Sequence, residues 1–150
     1  MRRALELSIG NVESGRGGPF GAVVVKDGNV VGEGVNQVLS TNDPSAHAEV
    51  IAIRAACLKL KTFQLTDCEI YTSCEPCPMC MGLIYWARPK SVYYANTAAD
   101  AAQLGFDDAF IYRELARANS ERSIQMQRIL REEALAAFDA WQKKPDKIPY

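Results

Sequence analysis

The order of apolar and amphipathic segments predicts an α/β fold, with helices packed on the faces of one sheet. Short apolar stretches rich in β-branched residues alternate along the chain with longer stretches of helical spacing. Hydrophobic residues make up 48% of the 150 residues, which is enough to bury one core. We therefore expect residues 1–150 to form a single domain.

The first expected elements are a helix and a β-hairpin. Residues 2–14 have helical spacing, and we expect their apolar side chains to face the core. These side chains are Leu5, Ile9 and Val12. The apolar stretch 20–25 and the stretch 30–38 flank a turn that contains Gly28, a pattern typical of a β-hairpin.

Two further helices are expected, and each would carry a sequence motif near its start. Residues 43–60 predict a helix that Asp43 would cap. Residues 68–72 predict a short buried strand, which leads into a second helix at residues 77–87. We expect the two helices to lie side by side on one face of the sheet and to begin at the same edge.

The second half of the chain continues the alternation of strands and helices. A strand is expected at residues 91–94, followed by a helix at residues 98–104. Alternate positions then carry Ile124, Met126, Arg128 and Leu130, which predicts a last strand. A closing helix is expected at residues 131–141.

Charge and cysteine content restrict the partners and the compartment. The formal net charge is −1 at pH 7, whereas proteins that bind long nucleic acids usually carry a basic face. Nucleic acid is therefore not a predicted partner. No signal peptide or membrane span is expected, so a membrane is not a predicted partner either. Five cysteines, an odd number, favour free thiols and a cytoplasmic location.

Two short motifs predict a catalytic metal site. His47, the single histidine of the chain, lies two residues before Glu49, and Cys77 and Cys80 follow three residues apart. One imidazole and two thiolates would hold Zn²⁺ and leave a fourth position for water, as catalytic zinc sites do. The adjacent carboxylate of Glu49 could then carry protons between that water and a substrate.

Other interpretations of the cysteines stay open at this point. Four of them could form an all-sulfur structural zinc site, with His47 merely buried. These four are Cys68, Cys74, Cys77 and Cys80. A disulfide framework is a further alternative, although the chain is long for one and the cysteine count is odd.

The two metal motifs have the pattern of zinc nucleobase deaminases, and further stretches make the resemblance more specific. The chain closely resembles the short bacterial guanine deaminases of the cytidine-deaminase-like superfamily over nearly its whole length. The stretches that carry this resemblance are GGPFGAV at residues 17–23, NDPSAHAEV at 42–50, YTSCEPCPMC at 71–80, YWARPK at 85–90 and GFDD at 105–108. The GFDD block and the terminal tyrosine are its most specific part.

The resemblance implies a zinc-dependent hydrolysis of guanine to xanthine and ammonia. It implies one Zn²⁺ per subunit bound by His47, Cys77 and Cys80, with water on the zinc as nucleophile and Glu49 as proton shuttle. It also implies a three-layer α/β/α fold with a central five-stranded mixed sheet. The subunits would form a homodimer that exchanges its C-terminal segments, at about residues 131–150.

The resemblance further implies the contacts of the purine base. Phe20 would stack on the base and Asn36 would hydrogen-bond to its ring. Asp108 would accept the two adjacent donors of guanine, N1–H and the 2-amino group, and could help to protonate the departing amine. Ala48 would contact the substrate as well, and Tyr150 would close the pocket.

Several other functions compete with guanine deamination. A related enzyme would deaminate guanosine or another heterocycle that resembles guanine. An adenosine deaminase acting on transfer RNA shares both zinc motifs but is expected to carry a basic RNA-binding face. A non-catalytic alternative is a zinc-stabilised structural or binding module. In such a module Glu49 would have no role in catalysis.

Overall fold

The computed structural model describes residues 1–106 and 108–149. It divides into two units, Met1–Ala109 and the residues from Phe110 onwards, and each is described by itself. The elements of the first unit are α1 (Arg2–Glu13), β1 (Gly21–Lys26), β2 (Asn29–Val35), the single turn α2 (Val38–Thr41), α3 (Ala48–Leu60), β3 (Cys68–Cys74), α4 (Pro78–Ala87), β4 (Ser91–Asn96) and α5 (Ala98–Gln103).

The strands form one mixed sheet in the order β2-β1-β3-β4. β1 runs antiparallel to both of its neighbours, whereas β3 and β4 are parallel and α4 is the crossover between them. The expected α/β fold with a mixed sheet is confirmed. The sheet has four strands within the described residues, so the fifth strand is not confirmed.

Helices cover both faces of the sheet. A Cβ at Gly21 would lie 2.4 Å from a carbonyl of α1, whereas a Cβ at Gly34 would lie 2.2 Å from a carbonyl of α3. Gly34 is paired with Ala22, and successive residues of a strand point to opposite faces. α1 and α3 therefore lie on opposite faces. The core on the α3 side includes residues of α4 as well, so the two motif helices share a face as expected.

The buried side of α1 differs from the prediction. It consists of Ala4, Ser8 and Asn11, while Ile9 and Val12 are 59% and 51% exposed. The reason is the short distance between α1 and β1, which leaves room only for small side chains on the inner side of the helix. An apolar stripe in the sequence therefore marked the wrong face of this helix.

The helix that follows the His47 motif begins later than expected. It starts at Ala48, because the carboxylate of Asp43 accepts hydrogen bonds from the backbone N–H and the hydroxyl of Ser45, at 2.8 and 2.7 Å. This local turn competes with helical hydrogen bonding. His47 has extended backbone angles and stands at the N-cap position of α3.

The second unit contains most of α6 (Ala109–Ala116), a 3₁₀ turn (Asn119–Glu121) and α7 (Arg131–Lys143). The closing helix is confirmed, whereas α6 was not predicted. The strand expected at residues 124–130 is wrong for this chain, since these residues form no regular structure. A strand requires a neighbour for its backbone groups, and the sheet of the described residues offers none to this segment.

None of the helices formed by residues 1–106 and 108–149 combines the length and the apolar character needed to cross a membrane.

Candidate active site

The site lies where two helices begin. His47 is the N-cap residue of α3 and Cys77 is the N-cap residue of α4. Cys80 lies in the first turn of α4 and is fully buried. Pro78 fits at the first helical position because that residue needs no N–H partner. The free N–H groups of a helix start favour thiolates over thiols, so this end of α4 suits metal-binding cysteines.

The distances between the three candidate ligands fit a zinc ion. Nδ1 of His47 lies 3.5 Å from Sγ of Cys77 and 3.6 Å from Sγ of Cys80. Tetrahedral zinc with ordinary Zn–S and Zn–N bond lengths separates a nitrogen from a sulfur ligand by about 3.6 Å. The three side chains could therefore bind Zn²⁺ without rearrangement, and a fourth tetrahedral position would be left over.

The all-sulfur interpretation does not agree with the structure. Within the described residues, the group that could hold a metal is His47, Cys77 and Cys80. The thiol of Cys74 instead contacts the carbonyl of Thr97 at 3.5 Å, and Cys68 lies in the apolar core. All five cysteines are free thiols, which excludes the disulfide framework in this structure.

Hydrogen bonds among the ligands perturb their titration. The Cys80 thiol donates to Cys77 and, together with the interaction with His47, lowers the pKa of Cys77 to about 4. The same hydrogen bond raises the pKa of Cys80, and the interaction with Cys77 raises the pKa of His47. The lowered pKa of Cys77 favours its thiolate, and binding of Zn²⁺ would displace the proton of the Cys80 thiol.

Glu49 lies in the first turn of α3 and is only 6% exposed. Its Oε1 accepts a hydrogen bond of 2.9 Å from Oγ1 of Thr72, and its Oε2 lies 3.5 Å from Sγ of Cys80. Burial raises the pKa of Glu49, and the hydrogen bonds oppose that rise. A carboxyl group with a raised pKa, beside a metal site, is suited to take up and release protons.

Two of the predicted substrate contacts lie on adjacent backbone segments. The N–H of Asn36 donates to the carbonyl of Phe20 at 3.1 Å. The Phe20 ring meets Phe106 edge to face, with ring centroids 4.9 Å apart. Asn36 is buried, and its Oδ1 accepts a hydrogen bond from the N–H of Val38 at 3.3 Å. These contacts connect the hairpin to the GFDD segment.

Asp108 lies near the metal ligands. The hydrogen bond with Cys77 is the main reason why the pKa of His47 is raised, and the charge of Asp108 adds to the effect. Burial raises the pKa of Cys74 to about 11, again with a contribution from Asp108. The carboxylate of Asp108 is thus close enough to the metal ligands to act on them electrostatically. Two other residues of interest, Asp107 and Tyr150, lie outside the described residues.

Ala48 stands between the metal ligand and the carboxylate in the sequence. Its side chain is fully buried in the core between α3 and the sheet. A contact with substrate would therefore use its backbone, and the predicted contact stays a prediction.

Two buried polar residues around the site were missed in the sequence. Thr72, on β3, donates to Glu49, and Asn11, on α1, donates to the backbone of Asn36 at 2.9 Å. The signal for Thr72 is a polar residue at an inward position of a buried strand, since both Ile70 and Thr72 are buried. The partner of Asn11 lies 25 residues away, and no local pattern indicates it.

Comparison with known proteins agrees with this geometry. Residues 1–96, well over half of the chain, match the family described as the cytidine and deoxycytidylate deaminase zinc-binding region. The chain belongs to this deaminase family.

Some members of the family match this deaminase over nearly its whole length. The guanine deaminase of Bacillus subtilis (strain 168) is 53% identical over 150 residues, which cover 100% of this chain and 96% of that protein. A crystal structure of guanine deaminase from Bacillus subtilis matches with a TM-score of 0.96 and 54% identity, over 99% of this chain and 95% of that one.

Two other relatives are more distant. The protein NE0047, solved in complex with 2,6-diaminopurine, matches with a TM-score of 0.68 and 36% identity, over 71% of this chain and 60% of that one. The tRNA-specific adenosine deaminase of Haemophilus influenzae is 37% identical over 119 residues, which cover 72% of this chain and 65% of that protein.

Proposed function

We propose that this deaminase hydrolyses guanine to xanthine and ammonia, with one Zn²⁺ per subunit. The observation that carries the proposal is the buried carboxylate of Glu49 beside a His/Cys/Cys group with zinc-like spacing. The similarity to guanine deaminase of Bacillus subtilis over the full chain supports guanine as the substrate.

The residues around the metal determine where protons move. Zinc held by His47, Cys77 and Cys80 supplies an acidified water, with a pKa of about 7 in such sites, as the attacking group. Glu49 takes a proton from the attacking water at Oε2 and passes it to the ring nitrogen beside C2. The bond between C2 and the 2-amino nitrogen then breaks, and the second water proton leaves on the amine through the same carboxyl group. Oxygen stays on C2, which gives xanthine and ammonia.

Three side chains of the first unit are proposed to select the base. The aromatic face of Phe20 suits any purine and therefore contributes affinity rather than discrimination. Asn36 offers both donors and acceptors to a mixed edge. Asp108 accepts N1–H and the 2-amino group of guanine, and adenine offers no such adjacent pair. Substrate choice in this proposal therefore depends mainly on Asp108.

The proposed quaternary structure is a homodimer that exchanges segments at about residues 131–150. The motivation is the apolar surface of the second unit. In the single chain, the large apolar side chains of Ile124, Ile129 and Phe138 are exposed. Tyr150, as the last residue of the exchanged segment, would then close the pocket of the partner subunit.

A cytosolic location is proposed as well. The five cysteines are free thiols, and the two that would bind zinc must stay reduced to do so, which is the condition of the cytosol.

Two alternative substrates lead to different expectations for the site. Deamination of guanosine or a guanine-like heterocycle would require space for a ribose or a different ring at the same site, and this alternative shares the zinc site. The second alternative is a transfer-RNA adenosine deaminase, the activity named for the Haemophilus influenzae relative. A protein that binds RNA is expected to carry a basic face, and the formal net charge of −1 agrees less well with that.

Ammonia release by the zinc-loaded protein tests the proposal. Guanine, guanosine, adenine, cytidine and an anticodon stem-loop are offered separately. We expect turnover of guanine, and turnover of guanosine or the stem-loop alone would replace the proposal by the corresponding alternative.

A substitution of Glu49 tests its role as proton carrier. Glu49→Ala should retain zinc and the fold while reducing turnover by a factor of roughly 100 or more, because general acid–base catalysis of this kind contributes that much. Zinc content is measured by metal analysis of the same sample. Wild-type turnover in this variant would contradict the proton-shuttle role and would favour a structural zinc module.

A further inference from the structure

The inner side of α1 carries two polar residues that the proposed reaction does not use. Asn11 is 1% exposed and Ser8 is 8% exposed. A buried amide or hydroxyl costs free energy unless it is hydrogen-bonded, and small apolar residues would fit the close approach of α1 to the sheet equally well. Their presence therefore requires an explanation beyond the packing of a helix on a sheet.

Both side chains donate to the backbone that leads into Phe20. Nδ2 of Asn11 donates to the carbonyl of Gly18 at 2.9 Å, and Oγ of Ser8 donates to the carbonyl of Pro19 at 2.7 Å. Two consecutive carbonyls, directly before the residue proposed to stack on the base, are thus held by one face of α1.

Asn11 also holds the second wall of the proposed pocket. Its Nδ2 donates to the carbonyl of Asn36 at 2.9 Å, so a single amide group bridges the Gly18 and Asn36 backbones. These backbones are in close contact, because a Cβ at Gly17 would lie 2.2 Å from the carbonyl of Asn36.

The bridged segments are joined a second time at Phe20. The N–H of Phe20 donates to the carbonyl of Gly18 at 2.8 Å, and the N–H of Asn36 donates to the carbonyl of Phe20 at 3.1 Å. Together with the Asn11 bridge, these bonds fix the backbone positions of Phe20 and Asn36 relative to each other. Loss of the Asn11 amide would leave the buried carbonyl of Asn36 and the partly buried carbonyl of Gly18 with one partner fewer.

We infer that Asn11 and Ser8 are positioning residues of the base pocket: they set the separation between Phe20 and Asn36 and thereby the affinity for the purine base. This inference rests on the proposed function, because it takes Phe20 and Asn36 as base contacts. Neither residue is near the atoms that exchange protons, so the effect belongs to binding and not to the chemical step.

The test compares steady-state kinetics of Asn11→Ser and Ser8→Ala with the wild type, using zinc-loaded protein. We expect the KM for guanine to rise by about tenfold in Asn11→Ser, which loses the bridge, and by about threefold in Ser8→Ala, which loses one donor. kcat should stay within about twofold of the wild type, because Glu49 and the metal ligands are untouched. Ser8→Thr, which keeps a hydroxyl, should restore most of the affinity.

A second experiment measures binding of a purine base directly, without any need for turnover. The dissociation constant of 2,6-diaminopurine, measured by calorimetry, should rise in parallel with the KM. Gly10→Ala is the matched control, since Gly10 is next to Asn11 on the exposed side and has open space around its Cβ position. This variant should leave both constants unchanged.

Either of two results would overturn the inference. Unchanged KM and unchanged binding of 2,6-diaminopurine, with a lowered melting temperature, would show that the two residues only stabilise α1. A lower kcat at constant KM would place their effect on the chemical step. Should Asn11→Ser fail to fold, the Ser8 variants give the same contrast.

Failure of the proposed function is a separate result. A wild type without guanine turnover would refute guanine as the substrate. The comparison of variants would then be made with 2,6-diaminopurine binding and with the substrate that the wild type does convert.

Discussion

At the scale of single residues, one contact orients the carboxylate of Glu49, the proposed proton carrier. Oγ1 of Thr72 donates to Oε1 of Glu49, and both groups are buried. The second oxygen, Oε2, is thereby directed to the side of Cys80 and the metal ligands. The carboxylate is thus held both by β3 and by the backbone N–H of Glu49 itself, at the start of α3.

Thr72→Val should therefore lower kcat by roughly tenfold, because valine keeps the shape but leaves a buried carboxylate oxygen without its donor. Zinc content and the KM should remain at wild-type values, and Thr72→Ser should recover most of the rate. Stopped-time ammonia assays at saturating guanine give the comparison. A valine variant with full kcat would mean that the hydroxyl has no part in orienting Glu49.

The role of Asp108 also belongs to this scale. Asp108→Ala should reduce turnover of guanine more than turnover of 2-aminopurine, which carries the amine but lacks the N1–H donor. The measured quantity is the ratio of kcat/KM for the two bases, and we expect it to change by about tenfold or more, the cost of a lost hydrogen bond to a charged group. An equal loss on both bases would assign Asp108 a structural role instead.

At the scale of elements, two glycines of β2 determine how closely α3 approaches the sheet. A Cβ at Gly34 would lie 2.2 Å from the carbonyl of Ala48, and a Cβ at Gly32 would lie 2.3 Å from the carbonyl of Ala52. Any side chain there must displace the helix. Because His47 and Glu49 flank Ala48, a displaced α3 would carry both of them away from the cysteines of α4.

Gly34→Ala is expected to lower the free energy of unfolding by about 1–3 kcal/mol, the usual cost of overpacking, and to weaken zinc retention. Gly82→Ala on α4 is the matched control, because Gly82 is exposed and nothing lies within 4 Å of its Cβ position. This change should stabilise the protein by about 0.5–1 kcal/mol through helix propensity. Urea unfolding of both variants measures the difference, and equal stabilities would contradict the close packing of α3 on β2.

The metal site and the elements were predictable from sequence to different degrees. His47, Cys77 and Cys80 were found because residue type and spacing carry the chemistry of the site. The helical face of α1 was not found, because burial there depends on a distance between backbones that no local pattern records. Asn11 shows the same limit, since its two acceptors lie 7 and 25 residues away.

At the scale of the whole molecule, the alternating residues 124–130 show why a strand cannot be predicted from pattern alone. Ile124 and Met126 have the spacing of a strand face, but the row continues with the polar Arg128, and a strand also needs a neighbour for its backbone groups. A short alternating pattern is therefore not enough to predict a strand.

Deletion of residues 148–150 tests the proposed exchange at its functional end. We expect turnover of guanine to fall while the fold and zinc content are retained, because the pocket of the partner subunit would stay open. Circular dichroism and metal analysis accompany the kinetics. Unchanged kinetics would exclude a pocket-closing role for the tail, while the dimer itself is examined by sedimentation.

The position of the ligands at helix starts has a consequence for the life of the protein in a cell. His47 and Cys77 occupy N-cap positions, yet neither side chain caps its own helix. An ion that binds both side chains would hold the two helix starts together, although the ion itself accepts no hydrogen bond from their N–H groups. Chains made under zinc starvation would have frayed first turns in α3 and α4, which expose backbone to proteases. The amount of this enzyme, and not only its activity, would then follow the supply of zinc.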